Sequence, residues 1–215
     1  MAAEHDMIQR VAMLVTSRAA QKIDFQVDQI RVLGSGLVNI MVYINLQLIG
    51  QPGIRIKIGA MSDDVAAYYD PHRNILNFRK ASYGETAFQR MTIIHECVHA
   101  WLDVRIPKIQ TVADAIAAAQ MATTQLSDET AAYIAGALFT IYENTSPGQK
   151  PAYPADWKPD PIYVAAFQIA TKIMNRPGAI VSAADAQPLK DAILDDDDYS
   201  AIKADPTKTA GNDGV

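Results

Sequence analysis

Read for its alternation of apolar and polar positions, the chain opens on a helix. Ile8, Val11, Leu14 and Val15 recur on one helical face, which predicts an amphipathic helix over residues 5–21. Residues 27–50 carry a denser apolar set, Val38, Met41, Val42, Ile44 and Leu46. That set fits a buried helix broken near Gly34 and Gly36, and its β-branched content also permits a strand. Pro52-Gly53 punctuates the chain, and Ile54-Arg55-Ile56-Lys57-Ile58 then alternates strictly, as a half-buried strand does. Asp70-Pro71-His72-Arg73-Asn74 has the chemistry of a turn, and Ile75-Leu76-Asn77-Phe78 follows as a second short strand.

Beyond residue 80 the period becomes helical. Ser82 with Glu85, and Thr86 with Gln89, each offer a capping box ahead of the apolar run from Phe88 to Leu102, and Pro107 stops that helix. The alanine-rich stretch from Val112 to Met121 predicts another helix, Ser127-Asp128-Glu129 opens or continues one through Tyr142, and Asp160 to Met174 gives one more. The end, ADPTKTAGNDGV, is polar and contains glycine and proline. The expectation is therefore a single α+β domain over residues 1–200, with helical additions at both ends, and a disordered tail over 201–215.

Composition narrows the function classes. With 215 residues, 49% of them apolar and 20% charged, the chain can bury a real core without covalent staples. Cys97 is the only cysteine, so no intramolecular disulfide forms. The N-terminus has no basic segment ahead of an uninterrupted apolar run, and the most apolar stretch, Leu37 to Ile49, is broken by Asn39, Asn45 and Gln47. Neither a signal peptide nor a membrane span is expected, which makes the cytoplasm the expected compartment. A net charge of −5 and a pI near 5.3, with no basic stripe, argue against a nucleic-acid surface. The acidic run Asp195 to Asp198 lacks the alternating spacing and glycine of a calcium loop and reads as a solvated tail.

The chemistry concentrates in Thr92-Ile93-Ile94-His95-Glu96-Cys97-Val98-His99-Ala100-Trp101, an H-E-x-x-H inside a predicted helix. Residues four apart lie about 40° around a helix and about 6 Å along it, so both imidazoles leave one face and converge on a single cation. Glu96, about 100° away from His95, reaches a metal-bound water without being a ligand. Zinc lowers the pKa of that water and the carboxylate takes its proton as it attacks a carbonyl. A catalytic zinc takes a third protein ligand, for which Glu129 is the first candidate and Asp128 the reserve. The alanines and glycine that follow, Ala131, Ala132, Ala135, Gly136 and Ala137, allow that helix to approach the histidine helix closely. As plain first-turn acids, Asp128 and Glu129 would do no more than complement the helix dipole.

Asp103, one turn beyond His99, is a candidate acceptor for a ligand histidine. His72 is a candidate donor to a tetrahedral oxyanion, and Tyr68, Tyr69 and Tyr133 are weaker ones. Cys97 projects about 200° from His95, away from the ligand face, and reads as core packing.

His95-Glu96-Cys97-Val98-His99 followed by Glu129-Thr130-Ala131-Ala132 resembles the gluzincin group of zinc metallopeptidases, and within it the small bacterial and phage peptidases of the ImmA/IrrE type. The resemblance covers roughly residues 53 to 142. It implies a zincin-like, minimal thermolysin-like fold, one zinc ion per chain, and a peptide or protein substrate hydrolysed by a Glu96-activated, zinc-bound water. Two positions depart from the pattern. Cys97 stands where a large hydrophobe is usual, and Tyr133 where the ImmA/IrrE pattern has asparagine. The alternative is a zinc-binding scaffold that recognises a protein partner without cutting it, which would have no need of a base at Glu96. A helical interaction protein with a chance motif would hold no stoichiometric metal.

Overall fold

The N-terminal apolar face folds as α1 (Ala2–Val15), which buries Met7, Val11, Leu14 and Val15. In the computed structural model the residues described are 2–61, 66–106, 111–146, 148–155, 157 and 159–210. The expected single helix over 5–21 is two: Ser17 accepts a hydrogen bond from the Ala20 N–H and starts α2 (Arg18–Gln21) afresh. The ambiguous stretch holds both of its readings. A hairpin comes first, β1 (Asp24–Val27) and β2 (Ile30–Leu33), joined through Asp28 at φ 50°, a left-handed conformation that aspartate tolerates. Two helices follow, α3 (Gly34–Leu37) and α4 (Ile40–Leu48).

β3 (Arg55–Ile58), β4 (Ala67–Asp70) and β5 (Ile75–Phe78) form one sheet in the order β3-β5-β4. The middle strand β5 is buried at all four positions and pairs parallel with β3 and antiparallel with β4. The helices of the second half are α5 (Ala87–Val104), α6 (Val112–Met121), α7 (Gln125–Asn144), α8 (Pro161–Ile173), α9 (Ala183–Asp195) and α10 (Ser200–Ala204). α5 ends at Val104, and Pro107 lies outside the described residues. β6 (Ala179–Val181) pairs parallel with β1, giving a second sheet ordered β2-β1-β6. One hydrophobic cluster joins both sheets to α1, α5, α7, α8 and α9, with Phe25, Phe78 and Phe139 among its largest fully buried side chains.

The fold is thus mixed α+β, helix-rich, with small sheets. Its C-terminal segment differs from the expected disordered tail. Ser200–Ala204 is helical, Thr209 forms an antiparallel bridge to Thr124, and residues 211–215 lie outside the described residues. Among the described residues no helix is long and apolar enough to cross a membrane.

Candidate metal centre

Two helices bring this site together, and their sequences explain how they come so close. α5 starts at Thr86, whose hydroxyl accepts from the Gln89 N–H at 3.2 Å, while Gln89 Oε1 accepts from the Gly84 and Glu85 N–H groups at 2.9 Å each. Every residue from Ile93 to Val98 is buried, so α5 runs through the core. α7 starts at Thr124, whose hydroxyl accepts from the Ser127 N–H at 3.1 Å. Gly136 marks a close approach: a Cβ there would stand 2.8 Å from Met91 Sδ and 3.2 Å from the Met91 carbonyl oxygen. His95 and His99 lie one and two turns after Met91, and Glu129 about two turns before Gly136, so the antiparallel seam sets them opposite one another. Arg90 closes the other end of the seam on both Glu143 oxygens, at 2.8 and 2.9 Å.

At the cleft end, His95 Nε2 and His99 Nε2 are 3.1 Å apart. Glu129 Oε2 is 3.3 Å from the former and Glu129 Oε1 is 3.5 Å from the latter. These three residues form a His-His-Glu group that could hold a metal ion. The donor chemistry fits a cation: two imidazole nitrogens and a carboxylate face one another. His95 Nδ1 is buried without a hydrogen-bond partner among the described residues, which leaves Nε2 as the ring's contact with the group. Glu96 sits beside the trio, Oε1 4.0 Å from His95 Nε2, and Oε2 accepts the Tyr69 N–H of β4 at 2.7 Å. Tyr69 also ties β4 to α5 through its hydroxyl, 2.6 Å from Asp103 Oδ2 and 2.8 Å from Asn74 Oδ1.

The charges are tightly interlocked. Burial alone would depress the His99 imidazole, but Glu129, with Glu96 and Asp128, raises it to about 9. Burial likewise opposes ionisation of Glu129, yet His99 and His95 hold its carboxyl well below the usual range. Burial pushes the Glu96 carboxyl up, against the pull of the same two histidines. It also pushes up the Cys97 thiol, which is fully buried and packs as core.

The trio and Glu96 line a cleft of about 660 Å³. Its walls include β4 on one side and Phe88, Met91, Tyr133 and Tyr163 on another. Tyr133 sets its ring against His95 at 4.4 Å between centroids. Asp128 lines the same cleft, buried, with its carboxylate accepting the Thr123 hydroxyl. Asp103 is fully buried and bonded to Tyr69. His72 stands exposed on the turn between β4 and β5 and is not among the residues lining the cleft.

Two participants were not foreseen from the sequence, the Tyr69 backbone N–H and Tyr199. The Tyr199 hydroxyl is 3.3 Å from Glu129 Oε2 and 2.5 Å from the Tyr133 hydroxyl. No local motif announces either, because one is a main-chain group and the other arrives from seventy residues downstream of its partner. Comparison of the chain with known protein families, curated proteins and solved structures finds no match in any of the three.

Proposed function

We propose that this protein is a zinc-dependent metallopeptidase on a minimal thermolysin-like, zincin-type domain, with His95, His99 and Glu129 as ligands and Glu96 as base. Two imidazoles and one carboxylate form a catalytic zinc set that leaves a coordination position open. Tetrahedral zinc with bonds of about 2.0–2.1 Å sets its ligand atoms roughly 3.3 Å apart. The two nitrogens are 3.1 Å apart, near that value, and each lies 3.3 or 3.5 Å from a different oxygen of Glu129. Zinc bound there supplies Lewis acidity, acidifying water and polarising a carbonyl.

The observation that carries the reading is the position of Glu96. It is adjacent to the trio yet outside it, and the Tyr69 N–H fixes one of its oxygens so that the carboxylate faces the cleft. So held, it takes the proton of a water attacking a peptide carbonyl and returns it to the leaving nitrogen. A scaffold that merely holds a metal has no use for a base fixed at this point.

β4 supports a peptide as the substrate. The Arg79 N–H donates to the Ala66 carbonyl, so the alternation of an antiparallel ladder gives Tyr68 and Asp70 the bonds to β5. Ala67 and Tyr69 therefore turn their N–H and C=O groups to the outer edge of the strand, where the Tyr69 N–H meets Glu96. An extended peptide laid along that edge runs beside the base.

Glu96→Gln tests the reading, because the amide keeps the size and the bond from Tyr69 but has no basic lone pair for the proton. Zinc content and thermal stability are expected to stay close to wild type while hydrolysis of a mixed peptide library, read by mass spectrometry, falls about a hundredfold or more. Indistinguishable processing by the two proteins at full zinc occupancy, or none by either, would leave the metal-holding scaffold as the better account.

A further inference from the structure

The C-terminal segment reaches the metal centre from outside the two ligand helices. After α9 ends at Asp195, the Asp196 carboxylate accepts the Asp198 N–H at 2.8 Å and the Asp196 carbonyl accepts the Tyr199 N–H at 3.2 Å. This closes a 3-10 turn over Asp197–Tyr199 and aims the Tyr199 side chain into the cleft. Ile202 on α10 is 6% exposed and anchors the next turn. The chain then runs antiparallel to the start of α7: the Lys208 carbonyl accepts the Gln125 N–H at 2.9 Å, and the Ala210 N–H donates to the Thr123 carbonyl at 2.8 Å. The first N–H groups of a helix have no partner within it. The C-terminal segment supplies one for the very helix that carries Glu129, one turn before that residue.

Tyr199 sits between these attachments. A phenol hydroxyl donates one hydrogen bond and can accept another. With the Tyr199 proton directed at Glu129 Oε2, the Tyr133 hydroxyl donates to Tyr199 in turn, and the Tyr133 ring packs on His95. One hydroxyl pair thus touches a proposed carboxylate ligand and, through a ring, a proposed histidine ligand.

We propose that residues 196–210 form a strap coupled to the metal centre, with Tyr199 as the positioning residue that holds the Glu129 carboxylate in its ligating orientation. The proposal rests on the reading of the cluster as a metal site and is independent of peptide cleavage. A ligating carboxylate that has lost its outer hydrogen-bond donor samples other rotamers, and loss of such a donor typically weakens metal binding by about ten- to a hundredfold. Because linkage is reciprocal, whatever undocks the strap weakens metal binding, and bound metal stabilises the docked strap by the same factor.

Zinc affinity measured by calorimetry on Tyr199→Phe, Ala210→Pro and the double variant tests this. Tyr199→Phe keeps the ring and removes the hydroxyl. Ala210→Pro removes the N–H that bonds the Thr123 carbonyl and touches none of the proposed ligands. Tyr199→Phe is expected to weaken zinc binding by about ten- to a hundredfold, and Ala210→Pro by less. The double variant should be no weaker than Tyr199→Phe alone, because the strap acts through that hydroxyl.

Two further readouts separate positioning from general loosening of the fold. The visible spectrum of cobalt(II)-substituted protein should change in Tyr199→Phe. Amide exchange at Gln125 and Ala210 should slow when zinc is added to wild type. Wild-type zinc affinity in Tyr199→Phe, or a loss in Ala210→Pro that adds in full to that of Tyr199→Phe, overturns the strap. Wild-type protein that takes up no zinc overturns the site as well, whereas zinc binding without peptide cleavage removes only the peptidase reading.

Discussion

Ser127 and Glu129 stand two residues apart at the start of α7 and belong to charged clusters of opposite design. In the first, Asp28 accepts both contacts of Lys190 Nζ, at 2.7 and 2.9 Å, and the Ser127 hydroxyl at 2.7 Å. Anion and cation are matched, and the result joins the β1–β2 turn to α7 and α9. In the second, two imidazole nitrogens and the carboxylates of Glu129 and Glu96 crowd together. Besides the two imidazoles, which share Glu129, the donors that reach those carboxylates are the Tyr199 hydroxyl and the Tyr69 N–H, and neither acid pairs with lysine or arginine among the described residues. A buried carboxylate is costly unless paired or metal-bound. The balanced cluster is complete in the protein alone, whereas the acceptor-rich one has the donor set to hold an added cation.

The sharpest way to break this comparison is to remove acceptors from the second cluster. Glu129→Ala is expected to weaken zinc binding by roughly a hundredfold or more, since a site with three protein ligands has few bonds over which to spread its affinity. Asp128→Ala, with the Thr123 hydroxyl as its partner, should lower thermal stability more than it lowers metal affinity. Calorimetry and melting curves on the two variants decide the matter. Equal, small effects on metal binding would place the third ligand elsewhere.

A gentler perturbation leaves every ligand in place and pushes their helices apart. At Gly136 even a methyl group meets Met91 at 2.8 Å, so Gly136→Val overpacks the seam between α5 and α7. The expected cost is about 1–3 kcal/mol of stability. Zinc affinity should fall with it, although no donor atom has changed. A variant that melts earlier yet binds zinc as wild type does would show that the site tolerates a wider seam.

How far the fold was legible follows from where each signal lies. β5, α6 and α8 were legible to within a residue at each end because their periods and caps are local: Asp160 accepts from the Ile162 N–H with Pro161 at the first turn, and Thr111 makes a full capping box with Asp114. That His95, His99 and Glu129 come together was legible because helical geometry alone fixes the relation of the histidines, and because Gly136 and its neighbouring alanines advertise a close helix contact for Glu129. The β1–β2 hairpin was not legible. Its turn has Asp28 where glycine or asparagine would signal one, and the bonds that hold Asp28 come from residues 99 and 162 positions away. β4 reads Ala-Tyr-Tyr-Asp, without apolar alternation, and is a strand because β5 pairs with it and α5 accepts its N–H. α9 carries Pro188 in its interior and the acidic run at its end, both of which hide a helix. The strap has the composition of a disordered tail, and what orders it comes from distant partners, Thr123, Gln125, Glu129 and Tyr133.

The balanced cluster gives the smallest expected effect and the cleanest contrast. Burial opposes ionisation of Asp28, but the bonds from Lys190 and Ser127 outweigh it and hold the carboxyl below its usual value. A group whose folded-state pKa lies below that of the unfolded chain, about 3.9 for aspartate, contributes stability that is fully present above the unfolded value. That contribution is lost as pH falls through the folded value. Lys190→Met removes the charge, keeps most of the apolar stem and should cost about 1 kcal/mol or less near neutral pH, since the pair is only half-buried. The stability gap between wild type and Lys190→Met should therefore narrow in acid, measured by urea denaturation of the metal-free proteins near neutrality and again below the carboxylate range. Zinc affinity at neutral pH should be the same in both. If the gap persisted undiminished in acid, the Lys190 stem rather than its charge would be what stabilises. If zinc affinity fell along with it, the two clusters on α7 would be one coupled unit, and the distinction between a completed staple and a cation-seeking site would have to be given up.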